Sequence, residues 1–221
     1  MSYDYSENIL VQESAGHLLE RELGWDVAYA YNTEKLGKQG TFGRTSYKEI
    51  LLTRYFRQAL QRLNPWLTPA QLDEAQKKME GRISTASLMQ INEEKYAFIR
   101  DGIPVTVKRP DGRTEEKRAV VIDFQHPNDP QRNYFLAIKE LKIHGDLYRR
   151  RTDIVGFVNG IPLLFVELKK NTVDVQNAYT DNYTDYLDTI PHLFYYNAFL
   201  MLSNGLEAKM GTLGGKYEFF H

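Results

Sequence analysis

The stretch GFVNGIPLLFVELKK, residues 156–170, constrains this chain more than any other. Asn159-Gly160 is a strong turn signal, and TDIVGFV before it and IPLLFVELK after it both read as strands. Leu163, Leu164, Phe165 and Val166 leave no polar side on the second strand, so both of its faces are expected to be covered. Yet that strand runs on into Glu167 and Lys169. A carboxylate there is costly unless it is paired or binds a cation. Asp153 opens the partner strand, and two acids on neighbouring strands can hold one hard cation, with water and the Leu168 carbonyl filling the shell. Lys169 lies two residues past Glu167 and points the same way. An ammonium there can orient an attacking water or stabilise charge on a phosphate, while a magnesium ion polarises the phosphodiester. Charges at a strand end are often merely solvated; the apolar strand leading into these favours chemistry.

That chemistry dictates the shape of the turn. A plain two-residue loop at Asn159-Gly160 opposes Asp153 to Val166, which puts the two carboxylates on opposite faces. A three-residue loop, Val158-Asn159-Gly160, with Gly160 as a left-handed bulge, opposes Asp153 to Phe165 and returns them to one face. The expectation is that loop, or an equivalent bulge or bend between Asp153 and Glu167.

The rest of the chain reads as α/β. A helix over SENILVQESAGHLLERELGW stops at Gly24, and the strand DVAYAYN follows. Ser46 with Glu49, and Thr68 with Gln71, read as capping boxes that each start a helix, and another helix runs from about Ser84 to Ile99. From about residue 103 the pattern turns to strands: a hairpin about Pro110-Asp111-Gly112, then NYFLAIKELKI, the Asn-Gly hairpin, a tyrosine-rich helix from about Val173 to Leu187, FYYNAFLMLSN and a short strand near EAKMGTL. The 221 residues are expected to form a single domain, helical to about 102 and sheet-rich beyond, with a helical insertion after the first helix and strand.

Net charge is −1, so any polyanion site must be local, and Arg149, Arg150, Arg151 and Lys170 beside the acids are candidates for DNA backbone. The absence of cysteine excludes disulfides and thiolate metal sites and suits a reducing cytoplasm. The polar, acidic N-terminus lacks the features of a signal peptide. IPLLFV, the longest apolar run, is far too short for a bilayer, so no membrane is expected. Five scattered histidines argue against a histidine zinc site.

RRTDIVGFVNGIPLLFVELKK resembles the nuclease core of the R (restriction, motor) subunit of type I restriction enzymes, a PD-(D/E)xK superfamily member. GRTSYKEILLTRYFRQALQRLNP, INEEKYAFIRDGIPV and DTIPHLFYYNAFLMLSNGLEAKMGTL are similar to the segments around that core, so the resemblance covers nearly the whole chain. It implies a restriction-endonuclease-like mixed β-sheet flanked by helices. Asp153 and Glu167 match the metal-binding acids and Lys169 the catalytic lysine. Glu13 is the best match to an acid on the first helix that assists the metal, ahead of Glu20. Tyr186 matches the tyrosine of a Gln-x-x-x-Tyr motif whose glutamine is here Asn182. The resemblance further implies Mg²⁺, double-stranded DNA, and methyltransferase (M) and specificity (S) subunits as partners. The chain contains no Gly-x-x-x-x-Gly-Lys-[Ser/Thr] phosphate loop. ATP use is therefore expected in motor domains beyond it, with this chain as the N-terminal part of a longer subunit. Two other readings fit the residues: a nuclease of the same superfamily from another pathway, such as repair, or a non-catalytic docking module that keeps the fold.

Overall fold

The computed structural model describes residues 7–82 and 84–221, so the polar residues 1–6 lie outside it. Its centre is a six-stranded mixed sheet in the order β1-β4-β7-β8-β9-β10. These strands are β1 (Asp26–Tyr29), β4 (Phe135–Lys139), β7 (Ile154–Val158), β8 (Ile161–Leu168), β9 (Phe199–Ser203) and β10 (Ala208–Gly211). β1 runs parallel to β4 and β8 parallel to β9, while the other neighbours are antiparallel. The first helix, α1 (Glu7–Arg21), lays Val11, Ala15 and Leu19 on one face, against Ala137, Ile154, Leu164, Val166 and Leu168. The opposite face carries Val155, Phe157, Phe165 and Leu202 into the larger core with Tyr183, Tyr186 and Phe194. β7 and β8 are buried along almost their whole length, as their unbroken apolar runs require.

The helical insertion lies where the sequence places it, between β1 and β4. It holds α2 (Thr53–Leu63), α3 (Pro69–Glu80) and α4 (Leu88–Asp101). Thr68 with Gln71 and Ser87 with Gln90 form complete capping boxes on α3 and α4. The hairpin about Pro110-Asp111-Gly112 forms as expected, as β2 (Ile103–Lys108) and β3 (Thr114–Ala119), but it makes its own two-stranded sheet outside the main one. A second ribbon, β5 (Lys142–His144) with β6 (Arg149–Arg151), leads into Asp153. Among the described residues no helix is long and apolar enough to cross a membrane.

The capping signal at Ser46 does not start a helix; α2 begins at Thr53. The Glu49 carboxylate accepts from the Thr45 amide at 3.2 Å, and Arg44 Nη1 donates to the Glu49 carbonyl at 2.9 Å. Leu52 donates its amide to the Gly160 carbonyl at 2.9 Å, tying the segment to the Asn-Gly turn. Tertiary docking of the buried Leu51 and Leu52 outweighs a local cap of about 1 kcal/mol.

That turn is the two-residue kind. Asn159 (φ 52°) and Gly160 (φ 81°) both occupy the left-handed region, and Val158 pairs directly with Ile161. The three-residue loop is not formed. The register shift comes further along instead: Phe157 pairs with Pro162 but Gly156 with Leu164, so Leu163 is the extra residue. Pro162 has no amide to give to the ladder. Gly156 leaves room for Trp25, whose ring lies 2.8 Å from where a Cβ would stand. Beyond the bulge Ile154 pairs with Val166, so Asp153 faces Glu167 on one side of the sheet. A Cβ on Gly160 would sit 2.6 Å from the Leu52 carbonyl oxygen. Gly160→Ala is therefore expected to cost about 1–3 kcal/mol in urea denaturation; an unchanged midpoint would contradict this account of the turn.

Candidate active site

Asp153 stands just before β7 and Glu167 near the end of β8, both at one end of the central hairpin. Asp153 Oδ2 accepts from the Leu168 amide at 2.7 Å, which fixes the carboxylate across the two strands. Glu167 is almost fully buried, and its Oε2 has no hydrogen-bond partner. A buried, unpaired carboxylate oxygen is among the costliest groups a fold can hold. Burial, and then the neighbouring Asp153, push the Glu167 carboxyl well above the usual carboxylate range. Burial likewise raises Asp153, to about 6, with Glu140 adding to the rise against the Leu168 amide. Two acids that disfavour each other's charge, one with an orphaned oxygen, form a donor set suited to a hard divalent cation.

Lys169 follows on the same side. Its Nζ donates to Asn182 Oδ1, so Asn182 and Lys169 do meet, as a positioned pair. Asn182 sits in a π-helical turn, Ala178–Tyr183, that runs directly into α5 (Thr184–Thr189). The expected helix is thus one wide turn followed by an ordinary one, a distortion common at functional sites. Tyr186 is buried, edge-on to Phe165 at 5.8 Å, and its hydroxyl donates to the Arg151 carbonyl at 3.0 Å. It anchors the strand that delivers Asp153. Tyr186→Phe is expected to cost about 1 kcal/mol and Tyr186→Ala about 3–5 kcal/mol, read by thermal or urea unfolding. Equal stability of the two variants would remove this packing role.

The structure does not bring Glu13 to the pair. Its carboxylate accepts from Lys139 Nζ at 2.6 Å, and α1 covers the face opposite the one Glu167 uses. Glu20 is exposed and lies 3.8 Å from His17. Among the described residues no group of three Asp, Glu or His side chains converges as a metal cluster. Of the basic candidates, Arg150 is bound by both oxygens of Asp185. Arg151 pairs with Glu140 at 2.8 Å. Lys170 is half-buried, without an ion pair among the described residues.

Glu140 and Gln12 are the residues that sequence reasoning missed. Glu140 holds a left-handed backbone (φ 58°), unusual for a residue with a long side chain and worth about 1–3 kcal/mol of strain. Its amide donates to the Asp153 carbonyl at 2.9 Å, and its carboxylate joins Arg151 to Gln12, whose Nε2 donates to Oε1 at 3.1 Å. The first helix thus reaches the site through Gln12 rather than Glu13. Only a glycine or asparagine would have flagged the turn at 140, and the chain has neither there.

A mixed sheet between helices, with two acids and a lysine at the end of its central hairpin, is a restriction-endonuclease-like arrangement. The chain belongs to the family described as type I restriction enzyme R protein N terminus, whose profile matches residues 4–219. It is 30% identical over 204 residues to the type I restriction enzyme HindI endonuclease subunit of Haemophilus influenzae, an alignment covering 90% of this chain and 19% of that protein. It is 27% identical over 230 residues to the putative type I restriction enzyme MjaIXP endonuclease subunit of Methanocaldococcus jannaschii, covering 97% and 20%. A Staphylococcus aureus relative, the type I restriction enzyme SauMSSORF170P endonuclease subunit, is 26% identical over 116 residues, covering 52% and 12%. The chain spans about a fifth of the length of the first two relatives.

Proposed function

We propose that this chain is the DNA-cleaving domain of a type I restriction enzyme, hydrolysing phosphodiester bonds of double-stranded DNA with Mg²⁺. The observation that carries the reading is the orphaned Glu167 Oε2, buried beside Asp153 with Lys169 next to it. Asp153 and Glu167 would hold the cation. When bound, a divalent cation supplies Lewis-acid polarisation of the phosphate and eases deprotonation of water. Lys169, steadied by Asn182, presents its ammonium to the attacking water or to the charge growing on the phosphate. Tyr186 and Glu140 keep the Asp153 strand in place through the Arg151 carbonyl and the Asp153 carbonyl. Sequence recognition through M and S subunits, and ATP-driven translocation, belong in this reading to other parts of the assembly. Plasmid cleavage by the assembled enzyme carrying Glu167→Ala tests it. Loss of linear product with ATP hydrolysis retained supports the assignment, and cutting at the wild-type rate overturns it.

A further inference from the structure

The β5–β6 ribbon pairs Lys142 with Arg151 and His144 with Arg149. Directly opposed residues of an antiparallel pair share a face. One face therefore carries Lys142, Arg151, His144 and Arg149 together. The pair between them turns the other way: Ile143 is fully buried and Arg150 is held by Asp185. Like charges directly opposed across two strands destabilise a ribbon. Arg151 has Glu140 as a partner, but among the described residues neither Lys142 nor Arg149 has a carboxylate; Lys142 reaches only Asn32 Oδ1, at 3.3 Å. Lys142 and Arg151 instead share the ring of Tyr31, at 4.7 and 4.5 Å from its centroid. These cations line one cleft with Tyr47 and His144. Burial, and then Arg149, Arg44, Lys142 and Lys48, hold the His144 pKa below its ordinary value, a sign of how positive the cleft is.

The whole chain has a net charge of −1, so this concentration of positive charge is local. β6 ends at Arg151, two residues before Asp153. A ribbon built at a cost in self-repulsion, and joined to a phosphodiester-cleaving centre, matches a polyanion that reaches both. We infer that the Lys142, His144, Arg149 and Arg151 face binds the sugar-phosphate backbone of duplex DNA beside the bond cut at Asp153 and Glu167. The inference rests on the nuclease reading above. It assigns to the ribbon the positioning of the duplex, independent of base sequence.

The test is anisotropy of a labelled duplex with the 221-residue chain, without divalent cation, so that binding is read apart from cutting. Lys142→Gln with Arg149→Gln is expected to flatten the slope of log affinity against log salt by about 2, at about 0.9 per lost phosphate contact, and to weaken binding about tenfold at ~50 mM salt. The charge-keeping pair Lys142→Arg with Arg149→Lys should retain the slope, which separates charge from folding. Lys108→Gln with Arg113→Gln, exposed on the separate β2–β3 hairpin, should change neither quantity. The Gln pair should also melt no lower than wild type, because a like-charge contact is relieved. An unchanged slope and affinity in the Gln pair overturns the surface. If that slope falls while Glu167→Ala still cuts plasmid in the assembled enzyme, the surface stands and the nuclease assignment fails.

Discussion

Alanine at Glu167 is expected to lower plasmid cleavage by the assembled enzyme at least about 10³-fold, the scale of losing a main electrostatic contributor to a transition state. The side chain is buried beside Asp153, and its Oε2 has no hydrogen-bond partner. Glu167→Gln keeps the side-chain volume and should lose cleavage as well, which separates the lost carboxylate from the cavity that alanine leaves. Asp153→Ala should cut activity to the same degree. Lys169→Ala is expected to match them in rate, since Asn182 holds this ammonium in place beside the pair. Asn182 accepts from Lys169 Nζ and in the proposed reaction would act only through it, so Asn182→Ala should cost less, about tenfold, and Asn182→Gln should keep most activity. ATP hydrolysis should persist in all of them. A near wild-type cleavage rate in any of the three alanine variants removes that residue from the site.

The second large effect is on stability, and it changes sign with the cation. Asp153 and Glu167 both titrate above their ordinary values when folded. Between the unfolded and folded values the native chain binds more protons than the unfolded one, so stability falls as pH rises. The contribution is complete below the unfolded carboxylate range, near pH 4, and is lost as pH climbs through the folded values. For Asp153, a rise from 3.8 to about 6 corresponds to about 3 kcal/mol lost by neutral pH; Glu167 adds in the same direction. The metal-free chain should thus melt higher at pH 5 than at pH 8. Mg²⁺ should reverse this at pH 8, where both acids can ionise around it, and do little at pH 5. Glu167→Gln should melt above wild type at pH 8 without Mg²⁺ and ignore added Mg²⁺. A flat profile from pH 5 to 8, with the same Mg²⁺ response in both proteins, would contradict the account.

The central hairpin was legible because its apolar run, its Asn-Gly turn and its terminal charges all act within a few residues. Covalent spacing alone brings Glu167 and Lys169 to one side. Thr68 with Gln71 was legible for the same reason, since a capping box is a local hydrogen-bond pair. The requirement that Asp153 and Glu167 share a face was also readable, and a bulge does satisfy it. Its position was not: the bulge at Leu163 depends on Pro162, Gly156 and the close approach of Trp25, residues far apart in the chain. Ser46 misled because a cap is weaker than the docking of Leu51 and Leu52 on a turn a hundred residues away. Gln12 and Glu140 were invisible because their roles come from where α1 crosses the end of β4, not from any local pattern. The π-helical turn that brings Asn182 to Lys169 likewise leaves no mark on the hydrophobic period.

We propose that Asp153 and Glu167 form one cation site, with Lys169 serving the reaction beside it. Calorimetric titration of Mg²⁺ into this chain and its variants at pH 8 is the decisive measurement. Wild type and Lys169→Ala should bind saturably, and Asp153→Ala and Glu167→Ala should show no binding; wild-type affinity in Glu167→Ala would mean that the cation is held elsewhere.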